Sequence, residues 1–344
     1  MAQRFILAIL AYALVGIFAP ATAQQVTLTV SHWLPPTHVL RTQALDLWLK
    51  DVTEVTQGRV TFRVLPKIVG SAPAQVDVVR DGLADVGSIA HGYVPGRFIA
   101  QEIAELPFLG DVGEPTGRAY WRIFDRHLKA IGEHEGVVVL SVMASSPGRL
   151  HTTSKIVAAV DDMAGLKLRV PGGTTTDITR LLGATPVLKP VSETYELVST
   201  GVVDGTVVQM LSVGAYKLLD KLTRTTNVPG GLYNATYSLF INPAKWNSIG
   251  AADREAIMKV SGEQLAGRWG RVFDIQDKEV EQQAVALGNV ITVAAPAFVA
   301  DLQKRLKPVE DKWVAAAEGK GLKSAAKILE ELRAEIRKIQ AEIK

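Results

Sequence analysis

Cysteine is absent from all 344 residues, which excludes disulfides and thiol chemistry outright and leaves the chain tolerant of an oxidising compartment. Beyond its first residues the chain has no run of the roughly 20 apolar residues that a bilayer span requires, so a soluble mature protein is expected. Acidic and basic residues nearly cancel, with Lys and Arg at 38 and Asp and Glu at 35. They are dispersed, which leaves no footprint for nucleic acid. The six histidines, at 32, 38, 91, 127, 134 and 151, have no metal-ligand spacing, and His134-Glu135 lacks the second histidine, four positions on, of a zinc helix. The Gly-x-Ser-x-Gly turn, the phosphate loop and the dinucleotide fingerprint are missing, and no nucleophile has a recognisable partner. No cofactor, no metal and no enzyme activity are therefore expected.

What remains is an ordinary globular composition, 47% hydrophobic and 21% charged, in a chain long enough for two domains. Met1 to Arg4, the apolar run Phe5 to Phe18, then Pro20 and Ala21-Thr22-Ala23 read as a secretory signal over 1–23. Cleavage would leave Gln24 first and lower the formal charge from +3 to about +2.

The chain is organised around Ala164-Gly-Leu-Lys-Leu-Arg169-Val-Pro-Gly-Gly173. Leu166, Leu168 and Val170 alternate with Lys167 and Arg169, the period of a strand, and Pro-Gly-Gly stops it. Arg169 thus stands at a strand's carboxyl end, which in an open α/β sheet borders the ligand crevice, and its planar fork matches a carboxylate. Arg149 lies twenty residues upstream and Gln209 forty downstream, after Gly201-Val-Val-Asp204-Gly205.

Upstream, Val26 to Val30 alternates as a first strand and delivers His32 and Trp33 to the same edge. A helix is expected from Thr37, closed by Gly58, then a strand over Arg59 to Leu65, a helix carrying Val76, Val79 and Leu83, and a strand over Asp85 to Ala90 that presents Tyr93. Strand, helix, strand implies parallel pairing. A weak internal echo relates Gly82-Leu-Ala-Asp85 to Gly201-Val-Val-Asp204: in each, glycine ends a helix with positive φ and aspartate turns the chain into a strand. Thr116 to His134 reads as a helix and Val137 to Val142 as a buried strand that crosses towards Arg149, as a hinge requires. A short helix up to Leu182, a strand over Thr185 to Leu188, and a helix over Ser192 to Ser199 repeat the alternation. Thr236 to Ile241 is a returning strand, and Ala251 to Leu287 one long helical stretch. Leu322, Ala325, Leu329, Leu332, Ile336, Ile339 and Ile343 follow a seven-residue pattern, open either to a coiled-coil homodimer or to packing on the chain's own lobes; fewer than four heptads favours the latter.

Gly165-Leu-Lys-Leu-Arg169-Val-Pro171, Leu182-Gly-Ala-Thr-Pro186, Gly201-Val-Val-Asp204-Gly205 and the spacings to Arg149 and Gln209 resemble the solute-binding subunits of tripartite ATP-independent periplasmic (TRAP) transporters, the DctP-type family. The family commonly has asparagine where this chain has Gln209, one methylene longer. The resemblance covers most of the mature chain. It implies an α/β fold of two lobes with hinge-crossing strands and a long C-terminal helix, a periplasmic location, and capture of a small organic carboxylate for a membrane permease. On this reading 24–146 with 235–274 forms one lobe, 147–234 with 275–320 the other, and 321–344 an amphipathic C-terminal helix. Arg169 would seat the carboxylate, Arg149 and Gln209 would complete its polar shell, and His32, Trp33 and Tyr93 would shape the rest. Aromatic walls fit an aryl or 2-oxo monocarboxylate better than a dicarboxylate. A ligand sensor and an enzyme acting on a carboxylate are the other readings of the residues, and only the resemblance favours transport.

Overall fold

The computed structural model describes residues 25–343; the signal expected over 1–23 lies outside them. In chain order the strands are β1 Val26–Val30, β2 Val60–Val64, β3 Val86–Ala90, β4 Val138–Pro147, β5 Arg149–Thr152, β6 Lys167–Val170, β7 Thr185–Leu188, β8 Gly205–Val208, β9 Arg224–Asn227, β10 Asn234–Ile241 and β11 Val290–Val293. The α-helices are α1 Asp46–Val55, α2 Gln75–Arg80, α3 Gly113–Ile123, α4 Thr174–Leu181, α5 Thr194–Ser199, α6 Met210–Ala215, α7 Pro243–Ser248, α8 Ala251–Val260, α9 Gly262–Ala286, α10 Pro296–Gly319 and α11 Ala325–Ile343. The strands form a five-stranded sheet ordered β2-β1-β3-β10-β4 and a six-stranded sheet ordered β11-β9-β5-β8-β6-β7.

Each sheet has a parallel part built by strand, helix, strand alternation. In the first, β1 pairs parallel with β2 and β3; in the second, β6 pairs parallel with β7 and β8. Strands covered on both faces need apolar or small residues throughout, and Val-Gly-Ser-Ile-Ala of β3 is buried at every position. The internal echo has a physical basis. Gly82 and Gly201 have φ of +74° and +71°, a conformation that favours glycine. Asp85 then accepts the Thr29 N–H through its side chain at 2.7 Å, and Asp204 accepts that of Lys167 at 2.8 Å. Each aspartate thereby ties the start of one strand to its parallel neighbour.

The sheets are joined where β4 becomes β5 across the single residue Gly148, and β10 starts alongside, with Asn234 opposite Pro147. Gly148 donates to the Tyr233 carbonyl at 2.8 Å. A Cβ on Gly148 would lie 2.0 Å from Cε1 of Tyr233, so only glycine lets the two crossing segments lie this close.

Three helices differ from expectation, two of them for a long-range reason. The first opens at Val39, two residues after Thr37, where the His38 imidazole accepts the Leu40 N–H at 3.2 Å, and it passes through a π-helical segment over Arg41–Leu45 into α1. The helix expected from Thr116 begins at Gly113, because Asp274 of α9 accepts the N–H groups of Gly113 and Glu114 at 2.6 and 2.9 Å. It gives way after Ile123 to a π-turn and a 3₁₀ turn that ends at Gly132, φ +80°. The long stretch over 251–287 breaks at Ser261, whose hydroxyl donates to the Ile257 carbonyl and accepts the Trp48 indole N–H at 2.9 Å. The seven-residue pattern of the tail is used inside the chain: Leu322, Ala325, Leu329, Leu332, Ile336 and Ile339 are buried, with α11 packed on α3 and α10. The stripe is thus packed on the chain's own elements, the second of the two readings that the pattern left open. No helix among the described residues is long and apolar enough to cross a membrane.

Candidate ligand-binding site

Between the sheets lies a narrow cavity of about 30 Å³, room for no more than a few waters as the lobes stand. Its walls come from the strand ends and from the crossing segments. Arg169, Val208 and Gln209 enter from the second sheet, Ala90 and Tyr93 from the end of β3, and Trp33, Leu34, His38 and Leu40 from the loop after β1. Tyr233, Ala235 and Tyr237 are carried by the return crossing, Phe273 by α9, and Ser212 and Tyr216 by α6 and its end.

Arg169 is only 1% exposed. Its Nε donates to the Lys189 carbonyl at 2.8 Å, and Thr206 Oγ1 holds the Arg169 carbonyl at 2.9 Å. Among the described residues no carboxylate pairs with this guanidinium. A buried charge without a counter-charge is expensive, so the arrangement favours an anionic occupant. Gln209 is buried at the start of α6 and its Nε2 lies 3.4 Å from the Tyr233 hydroxyl, which itself donates to the Val207 carbonyl at 3.3 Å. Tyr93 accepts the Val191 N–H through its hydroxyl at 3.2 Å, a bond that spans the two lobes. Burial, above all, raises the phenol pKa of Tyr93, Tyr216, Tyr233 and Tyr237, keeping these walls neutral.

The aromatic walls are locked together. Trp33 meets Tyr93 edge-on at 5.7 Å and stacks on Tyr237 at 6.4 Å, Tyr237 packs on Phe273 at 6.3 Å, and His38 leans on Tyr216 at 5.7 Å. Burial lowers the His38 pKa to about 4. The ring is neutral, and because Nδ1 accepts from Leu40, Nε2 carries the proton.

Four of the six residues expected at the crevice line it: Arg169, Gln209, Trp33 and Tyr93. Two do not. Arg149 stands opposite Val208 in the ladder between β5 and β8, outside the cavity lining, and its Nη1 pairs with Glu281 at 2.6 Å. His32 turns back on its own loop, accepting the Leu34 N–H at 2.9 Å and meeting Ser88 Oγ at 3.1 Å. Its pKa is lowered to about 3, first by burial and then by Arg41 and His38, so it is a neutral brace for the loop that presents Trp33. Sequence reading passed over His38, Ser212, Tyr216, Tyr233, Tyr237 and Phe273. One signal was available: Gln209, Ser212 and Tyr216 fall at i, i+3 and i+7, a single helical face.

The lobes touch at the rim. A Cβ on Gly172 would lie 2.2 Å from the Gly92 carbonyl oxygen, and Gly172 has φ +118°, so both the contact and the conformation demand glycine. Next to it, Glu102 and Glu105 face the start of α4. Thr174 Oγ1 lies 3.4 Å from Glu102, and Glu105 accepts from Thr236 at 2.5 Å. Among the described residues no group of three or more His, Asp or Glu is arranged to hold a metal ion.

Residues 30–316 match the family model for bacterial extracellular solute-binding proteins, family 7, DctP. The chain is similar to a TRAP periplasmic solute-binding protein from Bordetella bronchiseptica solved with (R)- and (S)-mandelate, at 38% identity over 91% of this chain and 99% of that one, TM-score 0.88. It is similar to a TRAP solute-binding protein from Rhodoferax ferrireducens in complex with benzoate, at 28% identity over 93% and 100% of the two chains, TM-score 0.86. A third likeness is to a marine metagenome protein described as specific for aromatic acids and solved with 3-hydroxybenzoate, at 28% identity over 92% and 99%, TM-score 0.85. With the model spanning most of its length and the same fold throughout, the chain belongs to the DctP family of TRAP solute-binding proteins.

Proposed function

We propose that this protein captures an aromatic monocarboxylate in the periplasm and presents it to the membrane subunits of a TRAP transporter, with no chemical change to the ligand. Arg169 seats the carboxylate, Gln209 lies beside it, and Trp33, Tyr93, Tyr237 and Phe273 sandwich the ring. The observation that carries this reading is the buried guanidinium of Arg169, inside an aromatic cavity and without a carboxylate partner among the described residues. The lobes that meet around the cavity are the elements whose closure a ligand would favour, since only contacts made better in the closed form shift the balance towards it.

Titration calorimetry with benzoate and mandelate tests the seat. Removing one partner of a buried ion pair costs about 3 to 5 kcal/mol, so Arg169→Ala should lower affinity by at least about a hundredfold, at 1.4 kcal/mol per tenfold. Arg169→Lys should recover little, having lost the planar fork. Near-native affinity in Arg169→Ala would remove the carboxylate seat. Recovery of a chemically altered acid after incubation would favour an enzyme instead.

A further inference from the structure

Two residues that border the cavity each carry a polar group with no use among the described residues. The Tyr216 hydroxyl and the Trp33 indole N–H are both buried without a hydrogen-bond partner among the described residues, and both residues line the cavity. Their neighbours differ. The Tyr93 hydroxyl is taken by Val191 N–H and that of Tyr233 by the Val207 carbonyl and Gln209. Tyr216 is held in place by the neutral ring of His38, 5.7 Å away, and Ser212, one helical turn earlier, lines the same cavity.

From this we infer that the cavity selects aryl carboxylates bearing a second oxygen, a hydroxyl or keto group, and that Tyr216 and Trp33 recognise that oxygen. The inference rests on the carboxylate seat at Arg169 proposed above. An indole N–H only donates, whereas a phenol donates and accepts. The partner that serves both is an oxygen with free lone pairs. An aryl acid without it, its carboxylate taken up at Arg169, would leave both groups unpaired. One with a hydroxyl or keto oxygen pairs them, and a buried group left unpaired is penalised far more than a pair is rewarded. Sites that hydrogen-bond a ligand hydroxyl discriminate strongly against the analogue lacking it for this reason.

Two matched pairs of acids test the point by calorimetry: mandelate against phenylacetate, which differ by one hydroxyl on the side chain, and 3-hydroxybenzoate against benzoate, which differ by one on the ring. The wild-type protein is expected to prefer the hydroxylated member of at least one pair by tenfold or more. Tyr216→Phe should bring that ratio below about three by weakening the hydroxylated acid, and Trp33→Phe should lower the same ratio independently, should Tyr216→Phe fold poorly. A wild-type ratio near one in both pairs, or an unchanged ratio in both variants, overturns the inference and leaves the carboxylate seat standing. If no acid of either pair binds, or Arg169→Ala binds them as well as wild type, the carboxylate reading itself falls and takes this one with it.

Discussion

Arg169 and Arg149 lie in the same sheet, but of the two only Arg149 has its charge answered among the described residues, by Glu281 at 2.6 Å. Arg149 is outside the cavity lining, from where it can add to the positive field. Arg149→Ala should therefore weaken benzoate by about tenfold at most, far less than Arg169→Ala, in parallel calorimetric titrations. Equal losses would place Arg149 in direct contact with the ligand. Strand-end logic made Arg169, Gln209, Trp33 and Tyr93 legible in the sequence, since a parallel sheet sends its carboxyl ends to one crevice. It failed for His32, because a side chain at a strand end can equally bond backward, here to Leu34 N–H. Phe273 was beyond reach, arriving on a helix whose position is set by tertiary packing. Gly148 is the most constrained residue at the crossing, and Gly148→Ala would push its Cβ into Tyr233. Overpacking of that kind typically costs about 1 to 3 kcal/mol, so a lower melting midpoint and weaker ligand binding are expected together; a variant with both unchanged would show that the Tyr233 ring can move aside.

The start of α4 carries a pH dependence. Burial raises the Glu102 pKa above the ordinary 4.5, followed by repulsion from Glu105 and Asp177, and burial raises Glu105 likewise. The folded state favours the protonated pair. Its contribution to stability is complete below about pH 4.5 and is lost as pH rises through neutrality. The buried histidines act in the opposite sense, since His32, His38, His134 and His151 are lowered to between about 3 and about 4 by burial. Their contribution fades only as pH falls below about 6.5. Above that value the slope belongs to the carboxylates, so the melting midpoint should fall from pH 6.5 to 8.5, and Glu102→Gln, which cannot ionise, should flatten the fall. An identical slope in the variant would clear Glu102 of this role. At the same scale the helix boundaries were the least legible feature, because their caps come from afar: Asp274 starts α3 and Trp48 bonds the serine that divides α8 from α9. The echo was legible because the positive φ of Gly82 and Gly201 is a local demand, although the bonds of Asp85 and Asp204 reach neighbouring strands.

At the scale of the molecule, the Val191 N–H to Tyr93 hydroxyl bond at 3.2 Å is a contact that a cavity residue makes across the lobes. Net hydrogen bonds of this kind contribute about 0.5 to 1.5 kcal/mol. Tyr93→Phe keeps the ring and deletes the acceptor, so benzoate affinity should drop about three- to tenfold by calorimetry, and unchanged affinity would take Tyr93 out of the closure. The two-sheet plan and its crossing were legible from alternation and from the apolar run after Val137, whereas β10 could be placed in the first sheet but not between β3 and β4. That insertion has a consequence in time. Tyr237 pairs with Ala90 on one side and Met143 on the other, so the first sheet stays in two pieces while the chain passes through nearly all of the second. Pairings of such sequence separation are slow to form. A chain that stops short of Asn234 exposes the bare edges of β3 and β4, each a template for a neighbouring molecule. The order of synthesis and the order of assembly are thus reversed for the first lobe, which begins the chain and is among the last parts to be finished.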